Sequence, residues 1–166
     1  EYVMYHPDIV LGIKRWWKAL RCDRSGMLTK ENFLRMIRKL LFVLADKYVP
    51  TGATTVARSD WKMEHAKAQA AHGGEMEEEK PLGFNEFYHK LFELASRLFP
   101  GASGKEYAAF LEDTLENFSL VDDDMLRKAF KAPEERDALL AKARRQMEEL
   151  VAAPAAAAGS PEAALE

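Results

Sequence analysis

Two short polar stretches of this chain space oxygen-bearing side chains as a hard divalent cation would need them. A twelve-residue calcium loop takes oxygens from positions one, three and five, a backbone carbonyl from seven and a bidentate Glu from twelve, with a turn-forming Gly at six. Placing Gly26 at six puts Arg21 at one, Asp23 at three, Ser25 at five, Met27 at seven, Leu28 at eight and Asn32 at twelve. Only Asp23 and Ser25 remain as side-chain ligands. A cation stands where a carboxylate is required, and a neutral amide stands where a bidentate carboxylate is required. This loop is expected to keep its turn without holding metal, with Leu28 pairing with its counterpart in a partner loop.

The second stretch repeats the first at its exit: Leu82-Gly83-Phe84-Asn85-Glu86-Phe87 matches the spacing of Leu28-Thr29-Lys30-Glu31-Asn32-Phe33. With Leu82 at position eight, Glu86 falls at twelve and Glu75, Glu77 and Glu79 fall at one, three and five, all carboxylates. Lys80 then occupies the turn, where a left-handed backbone favours Gly. A second register enters through Ser59-Asp60-Trp61 and starts near Glu64, with an insertion; the sequence leaves both open. Calcium held by Glu75, Glu77, Glu79 and Glu86 is the alternative to a solvated acidic loop.

Helices must position these loops. Ile9, Val10, Ile13, Trp16, Trp17 and Leu20 recur at helical spacing and predict a helix from Pro7 or Asp8 to Arg21. Thr29 is a suitable N-cap for a helix to about Lys47, buried through Phe33, Met36, Ile37, Leu40, Leu41 and Leu44. Pro50 and Gly52 mark 48–55 as a linker. A polar helix is expected over 55–72, with Val56, Trp61 and Met63 as its apolar content and Gly73-Gly74 as its stop. The helix opened by Phe84 is the most apolar, and its width predicts burial on more than one side. Pro100-Gly101 ends it, and Ser103 with Glu106 reads as a capping box for the next helix. A short amphipathic helix over 121–131 follows, its start favoured by Asp122-Asp123-Asp124 through the helix dipole. Pro133 opens a last charged helix to about Ala152, with a narrow stripe of Leu139, Leu140, Ala143, Met147 and Leu150. Residues 153–166 are Ala- and Pro-rich and are expected to be disordered alone. No stretch shows useful β alternation, so the fold class is all-α.

Arg21 to Phe33, the repeated exit at Leu82 to Phe87, and the runs Phe84-Asn85-Glu86-Phe87-Tyr88, Lys90-Leu91-Phe92-Glu93-Leu94-Ala95 and Glu106-Tyr107-Ala108-Ala109-Phe110-Leu111 together resemble the EF-hand superfamily. The stretch that begins at Asp60-Trp61 is similar to EF-hand domain proteins of ciliated and flagellated protists. The resemblance spans about residues 8–118 and departs from the calcium pattern at Arg21, Asn32 and Lys80. It implies a calmodulin-like four-helix lobe over 8–118, after an arm at 1–7 and before a helical extension at 119–152 and the tail at 153–166.

Composition bounds the function. The chain has 166 residues, 48% of them hydrophobic, and a net charge of −3, enough for one compact core and no general attraction to nucleic acid. The first fifty residues carry ten basic against five acidic side chains. This basic surface is either a solvated helix face or a contact for an acidic partner. The one cysteine, Cys22, excludes an internal disulfide and fits a reducing compartment. The chain begins at Glu1 rather than Met, which leaves a cleaved leader open. No apolar run is long enough to span a membrane. His65 and His72 lie on one helix face but lack a third ligand at zinc spacing, and read as a solvated pair. No phosphate loop, dinucleotide fingerprint or nucleophile elbow is present, so no catalysis is expected.

The expected function is a structural or interaction subunit of a larger protein assembly, without cofactor and without calcium. Trp16, Trp17, Phe87 and Phe92 would form its docking groove. Leu139, Leu140 and Leu150 would fill that groove from the last helix or bridge to a neighbour. The setting expected is intracellular, ciliary or cytoskeletal first and a mitochondrial or other organellar complex second. Two alternatives are a calcium sensor working through the loop at 75–86 and an accessory subunit of an organellar enzyme.

Overall fold

The computed structural model describes residues 3–20, 26–71, 73 and 80–158, with 153–158 described by backbone alone. Seven α-helices account for most of these residues: α1 (Pro7–Ala19), α2 (Lys30–Leu44), α3 (Pro50–Ala71), α4 (Phe84–Leu98), α5 (Gly104–Leu120), α6 (Asp123–Lys131) and α7 (Arg136–Ala158). The fold is all-α. Its one β feature among the described residues is an isolated antiparallel bridge between Leu28 and Leu82.

Local chemistry sets most of the helix ends. Pro7 opens α1 in the first turn, where its missing N–H is not needed. Thr29 caps α2 by accepting the Asn32 N–H at 3.2 Å. Ser103 and Glu106 form a reciprocal capping box on α5. Helix α6 begins at Asp123 rather than Val121, capped by Asp122, whose carboxylate accepts the Met125 N–H at 2.8 Å. Val121 instead is buried and closes α5.

The expected linker at 48–55 is largely helix. Pro50 begins α3, and the Thr54 and Thr55 hydroxyls donate to the carbonyls of Pro50 and Thr51. Buried Pro50, Ala53 and Ala57 seat this turn, so tertiary packing overrides the Pro-Gly signal. The apolar content of α3 also differs from expectation. Val56 and Met63 are substantially exposed, while Trp61 and the small Ala57 and Ala68 enter the core. Short side chains let α3 lie close along α2. At the other end, α7 continues to Ala158 rather than stopping near Ala152, in keeping with the high helix propensity of Ala.

Two apolar clusters hold the helices. The larger joins α1 to α5 around Ile9, Ile13, Trp16, Phe33, Phe87 and Leu111. The smaller gathers Phe42 and Tyr48 with Val121, Met125, Ala129 and Leu140. It seats α6 and the start of α7 on the far end of α2.

Candidate site: bridged loops and an occupied groove

The two helix–loop–helix units, α1 with α2 and α3 with α4, meet at the Leu28–Leu82 bridge. The Leu28 N–H donates to the Leu82 carbonyl at 2.7 Å, and the Leu82 N–H donates back at 2.9 Å. Both leucines are buried, so this pair of backbone bonds is shielded from water. Gly26 turns the first loop with φ +71°, in the left-handed region.

Of the candidate metal ligands, Asp23, Ser25, Glu75, Glu77 and Glu79 lie outside the described residues. Glu86 is described and stands at the third position of α4. One of its carboxylate oxygens lies 2.9 Å from where a Cβ on Gly83 would stand, so it folds back over its own helix start. Asn32, at the equivalent place in the first loop, serves the Thr29 cap through its backbone N–H. An amide there cannot supply the bidentate charge that calcium needs. Among the described residues no cluster of three or more His, Cys, Asp or Glu is placed to hold a metal ion. His65 is buried rather than solvated, and His72 lies outside the described residues.

The groove between α1, α2 and α4 contains α5. Tyr107, Leu111, Thr114 and Phe118 recur at helical spacing, and all are buried. The Trp16 indole N–H donates to the Leu111 carbonyl at 2.8 Å in the interior, and its ring meets Phe118 at 4.8 Å between centroids. Tyr107 packs edge-on against Phe92 and donates its hydroxyl to the Phe99 carbonyl at 2.7 Å. Lys39 closes the end, its ammonium 4.1 Å above the Phe118 ring. Burial lowers the Lys39 amine from its ordinary value despite the neighbouring Asp123 carboxylate.

This arrangement relocates the expected docking residues. Trp16 and Phe87 are fully buried core groups. Trp17 is half-buried against Phe84 and Phe87, and Phe92 is half-buried against Tyr107. Helix α7 does not fill the groove. Its Leu140 is buried and Leu139 half-buried in the second cluster, while Leu150 is 67% exposed. What α5 leaves open is an apolar cavity of about 300 Å³, lined in part by Leu40, Leu44, Val56, Leu94, Leu98 and Phe110.

Two charged features escaped the sequence reading. Lys90, 2% exposed, places its ammonium 3.3 Å from Asp60 and 3.6 Å from Glu64, tying α4 to α3. Lys67 extends the network to Glu64 and Glu93, and Arg97 adds a further bond to Glu93. Desolvation would raise the Glu93 carboxyl, but Lys67, Arg97 and Lys90 together hold it below the ordinary glutamate range. The sequence signal was available: Lys90 stands among Phe87, Tyr88 and Leu91, and Asp60 and Glu64 are one turn apart. The second feature is Arg136. Its guanidinium is buried and donates to the carbonyls of Phe42, Ala45 and Asp46 at 2.9, 2.5 and 2.7 Å. It satisfies the C-terminus of α2, where cations are favoured. Nothing local in the sequence links positions so distant.

The fold and site therefore define an all-α protein of two helix–loop–helix units, bridged at their loops and closed by a fifth helix. Compared with known proteins, the chain matches no family model, no curated protein and no solved structure. Among the described residues no helix is long and apolar enough to cross a membrane.

Proposed function

We propose that this chain is a non-catalytic structural or interaction subunit, built on an EF-hand-like lobe that holds its shape without calcium. The observation that carries this reading is the docking of α5 in the lobe's own groove through Trp16, Leu111 and Phe118. Calcium sensors of this superfamily expose a groove when metal binds. Here an intramolecular helix already occupies it, so no metal is needed to present an assembled surface. Arg21 and Asn32 in the first loop support the same conclusion, because the donor set lacks charge at both ends.

A partner then meets the residual apolar cavity and its partly exposed rim of Leu44, Val56 and Leu98. Such a cavity suits one or two large apolar anchor side chains rather than a whole helix. A large ciliary or cytoskeletal assembly is the setting suggested by the resemblance.

The test is a calcium titration of the full chain by calorimetry, after chelator treatment and in a magnesium background. No binding heat and no calcium shift in Tm are expected. Micromolar binding that disappears in Glu86→Gln would overturn the reading in favour of a calcium sensor acting through the second loop.

A further inference from the structure

We propose that the apolar cavity between α2, α3, α4 and α5 is a binding site for a neutral, mainly apolar small molecule that carries one hydrogen-bonding group. The inference deepens the reading above by naming what the cavity takes, and it rests on that reading in one respect: α5 must stay docked. Close-packed interiors leave few voids larger than a water molecule. This cavity measures about 300 Å³, at the lower end of the range for small-molecule sites, and it lies between helices, where such sites recur. Its walls run from the buried Trp16 and Leu111 to Leu44, Val56 and Leu98, which are exposed and form its mouth.

The two charged side chains of the lining are already neutralised within the protein. The Asp60 carboxylate has the Lys90 ammonium at 3.3 Å, and Arg97 is paired with Glu93. An ionised ligand would give up its hydration there and find no free counter-charge. What the lining leaves unpaired is a hydroxyl. Thr114 is 5% exposed, lines this cavity and makes no side-chain hydrogen bond among the described residues. By contrast, the hydroxyls of Thr54, Thr55 and Ser119 each donate to the carbonyl four residues back, Ser119 doing so on the same helix as Thr114. A buried helical hydroxyl ordinarily takes that bond or another. Among the described residues, the side-chain atoms that are both unpaired and sealed from solvent belong to Arg38, Trp61 and His65. The Thr114 oxygen is unpaired but not sealed, and the space its residue lines is the cavity. A hydroxyl both donates and accepts. It therefore suits an alcohol, phenol or carbonyl group on a ligand whose remainder is hydrocarbon.

The experiment titrates 1-naphthol, naphthalene and 1-naphthoate separately into the full chain by calorimetry. Saturable binding of 1-naphthol is expected, with naphthalene about fivefold weaker for want of the hydrogen bond and 1-naphthoate not bound. Thr114→Val keeps the side-chain shape and removes the hydroxyl. Its Tm should equal or exceed the parent's, because no hydrogen bond is lost. It should bind 1-naphthol only as well as naphthalene, with naphthalene binding unchanged. Val56→Trp, at the exposed mouth, should block both while the helical circular-dichroism spectrum is preserved. The proposal is overturned if 1-naphthol does not bind saturably, if 1-naphthoate binds as tightly, if Thr114→Val keeps the preference for 1-naphthol, or if Val56→Trp binds as the parent does. A calcium titration of the same sample separates the two readings. Calcium binding with the 1-naphthol pattern intact overturns the metal-free reading alone, and silence toward calcium without 1-naphthol binding overturns the ligand site alone.

Discussion

Replacing Lys90 by Met should destabilise this protein far more than removing an ordinary lysine. The side chain is 2% exposed, with carboxylate oxygens of Asp60 and Glu64 at 3.3 and 3.6 Å. At an effective dielectric of about 20, each attraction is worth about 4–5 kcal/mol. Desolvating the three groups offsets most of that gain, so the intact network contributes little net stability. Removing the cation alone is different, because the desolvation cost of the carboxylates stays. Such a deletion typically costs about 3–5 kcal/mol. Glu64 retains Lys67 at 3.3 Å, but that lysine is 54% exposed, and Asp60 keeps no other ion pair among the described residues. Because the Asp60 side chain is 18% exposed and Glu64 keeps one cationic partner, the expected loss is at the lower end, about 3 kcal/mol, out of the 5–15 kcal/mol typical of a domain. Urea denaturation should show a lower midpoint with an unchanged slope. Neutralising the partners as well, with Asp60→Asn and Glu64→Gln, should recover most of the loss, and the cycle measures the coupling. A loss below about 1 kcal/mol for Lys90→Met would place the network in solvent, like an exposed surface pair, and refute the argument.

Three further outcomes are expected. Arg136→Met removes three charge-assisted donors from the end of α2 and should cost about 2–3 kcal/mol in urea denaturation, while limited proteolysis releases α7 faster. Gly12→Ala should raise stability by about 0.5–1 kcal/mol, since α1 gains helix propensity and the new Cβ stands at an ordinary 3.7 Å from Leu111; a lower Tm would show that α5 lies closer to α1 than described. Glu106→Gln should lower Tm at neutral pH by removing the charged half of the α5 capping box. The Ser103 backbone and side-chain bonds hold the Glu106 carboxyl below its ordinary value. Its contribution is thus complete above the ordinary glutamate range and fades as pH falls through the depressed value, so variant and parent should converge in acid.

Much of the helical order was legible because it is local. Apolar periodicity located α1, α2, α4 and α5, and the Thr29 and Ser103 caps marked two starts to the residue. The repeat of Leu28 at Leu82 was also visible, since equal spacing needs no long-range knowledge. Pro50 misled because the same residue both breaks a helix and opens one, and only the burial of Ala53 and Ala57 decides between them. The aromatic residues chosen for docking misled in a similar way. Trp16 and Phe87 have the composition of a binding face, but the sequence does not say that the fold buries both, Trp16 against α5. Arg136 was illegible for the opposite reason: its partners are backbone carbonyls, which carry no residue signature.

The occupied groove also limits what any partner can do. Helix α5 is tethered to α4 by the short connection at 99–103, which includes Gly101 at φ +79°. A short tether keeps an intramolecular helix at a millimolar effective concentration or higher. A free partner helix of equal intrinsic affinity would have to exceed that concentration to displace α5. It would also have to break the buried Trp16–Leu111 hydrogen bond and separate Tyr107 from Phe92. Displacement is therefore unfavourable at ordinary protein concentrations, and binding that leaves α5 in place is favoured. On the proposed reading this argues for a stable subunit with a fixed surface over a switch that alternates between closed and open forms. The physical reason lies in α5 rather than in either loop. Restoring carboxylates at Arg21 and Asn32 would accordingly give metal affinity without giving a calcium-driven opening.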